Sequence, residues 1–150
     1  SHLPHLQCVV ACGNNKQLVD KVDHLAKTSQ TKLFALPFTK EIYKYMQAAD
    51  LVVGKAGPNM VFESVACQTP FFATTHVAGL EDGNLEIIQE YNIGFIEEDN
   101  EKAVALLKAI IQSPQMIEKK SLSVKKLAEY LKSQKHELLK YLTLNEFSQQ

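Results

Sequence analysis

Ala49-Asp50-Leu51-Val52-Val53-Gly54-Lys55-Ala56-Gly57-Pro58-Asn59-Met60-Val61-Phe62-Glu63 changes period halfway along. Asp50–Gly54 reads as a strand with a continuous apolar centre, the pattern of a sheet covered on both faces. Gly57-Pro58 then opens a helix running to about Cys67, with proline at the first helical position, where the missing N–H costs nothing. Gly57 lets a ligand approach the backbone. The amides of Asn59 and Met60 point out of the helix N-terminus and suit an anion such as a diphosphate. Glu63 lies one turn deeper, where a carboxylate can accept two hydrogen bonds from a vicinal diol such as a ribose. A plainer reading, and the one that spacing alone favours, is a proline-started helix with a solvated glutamate on its flank. Neither GxGxxG nor GxxxxGK[ST] is present.

Outward from this stretch, strand and helix alternate. Leu6–Ala11 reads as a buried strand ending in the turn Cys12-Gly13-Asn14-Asn15. Leu18, Val19, Val22, Leu25 and Ala26 recur at helical spacing in Lys16–Thr28. Lys32–Phe38 is a second strand, and Thr39 is placed to cap a helix reaching about Ala49. Pro70–Thr75 is a fourth strand, the loop His76–Asn84 leads into a helix over about Leu85–Tyr91, and Ile93–Glu97 is a short fifth strand. Beyond it the pattern predicts only helices: Glu101–Gln112, Met116–Lys132 and Lys135 to about Glu146. Leu127, Leu131, Leu138, Leu139 and Leu142 form their apolar face, and Ser148-Gln149-Gln150 is expected to fray. The reading is a Rossmann-like α/β domain, a parallel sheet with helices on both faces and a helical C-terminal tail. Residues 1–150 are expected to form one such domain.

Composition narrows the function. The chain is 45% hydrophobic and 22% charged, ordinary for a globular domain, and its net charge is −1. That balance argues against nucleic acid as a partner. Every basic residue is lysine, so phosphate would be held by ammonium groups and backbone amides instead of guanidinium forks. No apolar run is long enough for a membrane span, and Ser1-His2-Leu3-Pro4-His5 lacks the features of a signal peptide. Ser1-His2 reads either as a tag remnant on a piece of a longer chain or as a natural start. Cys8, Cys12 and Cys67 read as reduced, buried packing residues of a cytoplasmic protein, without the spacing of a zinc site.

Ligands of open α/β sheets bind beyond the carboxyl ends of the strands. This directs attention to Gly13-Asn14-Asn15, Phe38-Thr39, Lys55–Asn59 and His76–Asn84. In the last, Glu81, Asp82 and Asn84 beside Gly79 and Gly83 suit sugar hydroxyls, while Asp82 or Asn84 equally suits an N-cap. His76 could be catalytic, but no nucleophile sits at a GxSxG-type turn. Lys119, Lys120, Lys125 and Lys126 read as a wet helical face, with membrane contact as the alternative.

The order of these motifs resembles the C-terminal domain of GT-B glycosyltransferases of the family 28 type. That branch holds the diacylglycerol sugar transferases (monogalactosyldiacylglycerol synthases) and the lipid-linked N-acetylglucosamine transferase of peptidoglycan synthesis. Lys55-Ala56-Gly57-Pro58, then Glu63, then Gly79-Leu80-Glu81-Asp82-Gly83-Asn84 carry the likeness, with Val9–Lys16 matching the branch's first strand and turn. Leu80 stands where relatives carry a glutamine, which removes one sugar contact, and Asn14 stands where the diacylglycerol branch has arginine.

The resemblance implies binding of the UDP part of a nucleotide-sugar donor. Glu63 would hold the ribose, the Asn59 and Met60 amides behind Gly57-Pro58 the diphosphate, the backbone at Phe38-Thr39 the uracil, and Glu81 with Asn84 the sugar. Gly13 would lie in the donor-facing turn, and Lys55 is added near the diphosphate on electrostatic grounds. It further implies an inverting, metal-independent hexosyltransferase without a cofactor. The acceptor, a lipid such as diacylglycerol, and the catalytic base belong to an N-terminal domain absent from this sequence. This chain alone is therefore expected to bind donor and catalyse nothing. Cytoplasmic placement, with peripheral contact at the inner face of a membrane, goes with this reading. The alternatives are a stand-alone donor-binding subunit of a two-chain membrane enzyme, a non-catalytic nucleotide-binding Rossmann module, or a GT-B-like epimerase.

Overall fold

The computed structural model describes residues 6–146, with the side chains of residues 6–135. The readings of Ser1–His5 and Ser148–Gln150 lie outside the described residues, as does the side-chain face assigned to Leu138, Leu139 and Leu142. The chain forms two compact units, residues 1–45 and 46–150.

In the first unit β1 (Gln7–Gly13) pairs in parallel with β2 (Lys32–Pro37), connected by α1 (Lys16–Thr28). Asn15 starts α1 by accepting the Leu18 amide at 3.0 Å, which satisfies one orphan donor of the first turn. Cys12 and Val22 are buried, and burial alternates along β1, whereas its apolar run predicts a wholly buried strand. Within this unit α1 is the helix packed against the pair, so every second side chain turns away from it. Thr39 accepts the Glu41 amide at 3.0 Å in the turn ahead of α2 (Ile42–Ala48), three residues before the helix it was expected to cap.

The second unit holds a parallel sheet in the order β3 (Val52–Lys55), β4 (Phe71–Thr75), β5 (Gly94–Ile96). The strands thus pair within two sheets, where the sequence suggests a single one. The central strand explains its own composition. Phe71 and Ala73 face a core with Ala56, Val61, Val65, Ile88, Ile93, Val124 and Leu127, drawn largely from α3 (Pro58–Ala66), α4 (Asp82–Glu90) and α6 (Pro114–Glu146). Phe72 faces the opposite side, with Ala103 and Ile110 of α5 (Asn100–Gln112), its ring edge-on to Phe95 at 6.3 Å. Each buried phenylalanine contributes roughly 1.5–3 kcal/mol. Only an apolar run satisfies both faces at once.

Two boundaries depart from expectation. α6 is one helix, because Ser133-Gln134-Lys135 contains neither glycine nor proline to stop it. α4 begins at Asp82, three residues early, so Asp82 and Asn84 lie inside its first turn instead of capping it.

Candidate functional site

β3 and β4 are adjacent and parallel, so the loops after them emerge at the same edge of the sheet. The first corner is Lys55–Pro58. Ala56 donates to the Thr75 carbonyl at 2.8 Å, which ties the corner to the end of β4, and Ala56 is fully buried. Gly57 is the N-cap of α3 in extended conformation and offers no capping side chain; Pro58 follows at the start of the helix. The first-turn amides therefore remain available to a ligand, and Asn59, Met60 and Glu63 are exposed along the helix that carries them.

The second corner is His76–Asn84. Glu81 is buried, and its two oxygens are both engaged: Oε1 accepts Lys55 Nζ and Oε2 accepts the Val77 amide at 2.7 Å. The Lys55 hydrogen bond holds the Glu81 carboxyl below the ordinary carboxylate range, against the opposing effect of burial. Asn84 Nδ2 donates to the Ala56 carbonyl at 2.8 Å, fastening α4 to the first corner. Asp82 Oδ1 accepts the Gly79 amide at 2.9 Å and meets His76 Nε2 at 3.0 Å, while His76 Nδ1 meets Glu98 Oε1 at 2.6 Å. Leu80, at the tip, is 80% exposed.

The structure thus brings together Lys55, Gly57, Pro58, Asn59, Met60, Glu63, Glu81 and Asn84 in the second unit. In the first unit it joins Gly13 and Phe38, whose amide donates to the Gly13 carbonyl at 2.9 Å. Gly13 has φ +56, a backbone that glycine adopts without strain. Sequence patterning misses the Lys55–Glu81 pair. Its one signal is that Lys55 ends β3 and Glu81 lies in the loop after the adjacent parallel β4, Lys55 being in register with Thr75. His76 reads in the sequence as a lone loop histidine, and the structure makes it a bridge between two carboxylates. Of the three cysteines expected to be buried, Cys12 is, while Cys8 and Cys67 are half-buried; partial burial pushes the thiols of Cys8 and Cys67 up.

A glycine-capped helix start, a lysine beside it and an exposed glutamate one turn along place backbone amides, an ammonium and a carboxylate on one helix start. The chain matches the glycosyltransferase family 28 C-terminal domain over residues 2–147. It belongs to that family. It is similar to monogalactosyldiacylglycerol synthase 2 of Arabidopsis thaliana, 31% identical over 88 residues that make up 59% of this chain and 18% of that protein. Processive diacylglycerol beta-glucosyltransferases also match. That of Bacillus pumilus is 24% identical over 122 residues, 81% of this chain and 32% of that protein; that of Staphylococcus saprophyticus is 30% identical over 115 residues, 74% and 28%. The chain therefore spans less than a third of the length of these relatives. The family's α/β architecture agrees with the parallel strands and interleaved helices described above. No helix among the described residues is long and apolar enough to cross a membrane.

Proposed function

We propose that this family 28 domain binds the donor of an inverting, metal-independent UDP-hexose transferase whose acceptor is a lipid of the diacylglycerol kind. The observation that carries the reading is the start of α3: a glycine N-cap without a side chain, proline next, and Lys55 alongside. Uncapped amides and an ammonium together favour a diphosphate. Glu63, exposed one turn along, is assigned the ribose hydroxyls. In the reaction, those amides would stabilise the negative charge that develops as UDP departs, so the leaving group is served without a metal. The base that deprotonates the acceptor hydroxyl for attack on the anomeric carbon is assigned to the N-terminal part of such enzymes. The names of the relatives support a lipid acceptor, and with it a peripheral seat on a membrane. The uracil contact at Phe38-Thr39 and a place for Gly13 in the donor-facing turn rest on the resemblance alone.

Calorimetric titration of UDP, with ADP as the control base, tests this. UDP is expected to bind more tightly than ADP, and Glu63→Ala to weaken it by about 1–3 kcal/mol, the scale of a lost hydrogen-bond partner. Equal binding of the two nucleotides, or UDP binding indifferent to Glu63→Ala, would overturn the assignment.

A further inference from the structure

Glu81 occupies a position where the resemblance implies a contact to the donor sugar, yet its side chain is only 7% exposed and both of its oxygens are already engaged inside the protein. Lys55 is the opposite, with half of its side chain in solvent. One of its three N–H donors goes to Glu81, which leaves two for a ligand. Gly57 shows where this pair sits. A Cβ built on that glycine would lie 3.4 Å from Glu81 Oε1 and 3.5 Å from Lys55 Nζ. The ammonium therefore lies within van der Waals reach of the N-cap of α3, whose first-turn amides no side chain caps.

We propose that Glu81 is a positioning residue: it fixes the Lys55 ammonium at the start of α3 and so acts on the donor's diphosphate through Lys55. This rests on the donor-binding reading above and assigns the division of labour within that site. A free lysine has several rotatable bonds to immobilise when it meets a phosphate, and one already held by a buried carboxylate has less freedom left to lose. The carboxylate is itself fixed by the Val77 amide, and the helix behind it by the Asn84–Ala56 bond, so the ammonium is referred to the sheet by a short chain of contacts. Glu81 also brings a negative charge near an anion site, and this works against binding. The sign of a neutral replacement therefore shows which effect governs.

The experiment titrates uridine, UDP and a UDP-hexose into the unaltered chain, Glu81→Gln, Lys55→Met and the double variant. Glutamine keeps an oxygen for the Val77 amide while losing the charge that holds Lys55. Glu81→Gln should weaken UDP and the UDP-hexose by the same factor, about tenfold for a charged hydrogen bond, and leave uridine unchanged. Added to Lys55→Met it should cost little more, because the two residues act as one. Three results would overturn the proposal: loss confined to the UDP-hexose, tighter UDP binding by Glu81→Gln, or losses that add in the double variant. If Glu81→Gln does not fold, as a thermal melt would show, Lys55→Met carries the test. Loss on both diphosphates but not on uridine supports the proposal, and equal or no loss on all three overturns it. Failure of the unaltered chain to prefer UDP over ADP would overturn the donor reading and this inference with it. An intact preference that ignores Glu81→Gln overturns the inference alone.

Discussion

The two corners at the edge of the second sheet use their residues in opposite ways. After β3, the corner buries Ala56 and Gly57 and leaves exposed half of Lys55, and Asn59, Met60 and Glu63, with no side chain capping the first-turn amides of α3. After β4, the polar side chains of His76–Asn84 bond within the protein, Glu81 buried and Asp82 still 59% exposed. Glu81 takes Lys55 and Val77, Asp82 takes Gly79 and His76, and Asn84 takes Ala56. The corner after β4 is thereby fastened to the corner after β3 through Glu81–Lys55 and Asn84–Ala56. Composition alone would favour His76–Asn84 as the sugar binder, since it carries two carboxylates and an amide. What distinguishes the corners is that these groups already have partners inside the protein.

The most damaging way to break this division is at Asn84. Its amide supplies a hydrogen bond to the carbonyl of a fully buried residue, Ala56. Asn84→Asp should destabilise the fold by about 2 kcal/mol, because it turns an oxygen toward that carbonyl and removes its donor. At a helix N-terminus an added negative charge is otherwise favourable by roughly 0.3–1 kcal/mol. A urea melt showing Asn84→Asp as stable as the parent or more so would mean that Asn84 serves α4 alone and does not brace the first corner.

The two glycines of His76–Asn84 come next, and they should respond with opposite signs. Gly79 has φ +77 with no atom near a built Cβ, so Gly79→Ala incurs backbone strain alone, about 1–2 kcal/mol. Gly83 sits in the first turn of α4, with no positive φ and open space around its Cβ. There alanine should stabilise by about 0.5–1 kcal/mol, by restricting the unfolded chain and favouring helix. Thermal melts of the two variants check both signs. Destabilisation by Gly83→Ala would show that this corner needs backbone freedom at a further point, which a brace does not.

How far the sequence reveals this differs from residue to residue. Gly57-Pro58 marks the start of α3 because proline at a first helical position acts locally, and Lys16–Thr28 is bounded by its own period and by Asn15. β4 is legible because burial on both faces leaves only apolar choices. The start of α4 escapes for the converse reason. Asp82 has the chemistry of a cap, but Gly79 and His76 claim its side chain, and the helix begins at Asp82 itself. The use of Glu81 is hidden in the same way: its partner lies 26 residues away, and no local pattern encodes such a pairing. The start of α3 and its exposed groups are readable from motif and spacing, whereas the contacts of His76–Asn84 depend on pairings that only the folded chain makes.

The gentlest probe of the comparison is pH. His76 meets Glu98 through Nδ1 and Asp82 through Nε2, and a neutral imidazole has a single N–H, so only the imidazolium donates to both. The hydrogen bond to Glu98 is the chief cause that raises its pKa above the ordinary 6.5, with Asp82 adding to it and desolvation opposing. For a cation favoured by folding, the added stability is complete below 6.5 and is lost as pH rises through the raised folded value. Lys55–Glu81 holds a carboxyl whose pKa is lowered, so its contribution stays constant over that range and falls only in acid. The difference in melting temperature between the parent and His76→Gln should therefore shrink as pH is raised from about 6 to about 9. The difference between the parent and Glu81→Gln should stay level. A level His76 difference would mean that the neutral ring, donating to one carboxylate, holds its corner as well as the charged one does. Parallel slopes would mean that the two ion clusters are coupled through Asp82 and Glu81, which are adjacent in the chain, and that the corners share one electrostatic frame.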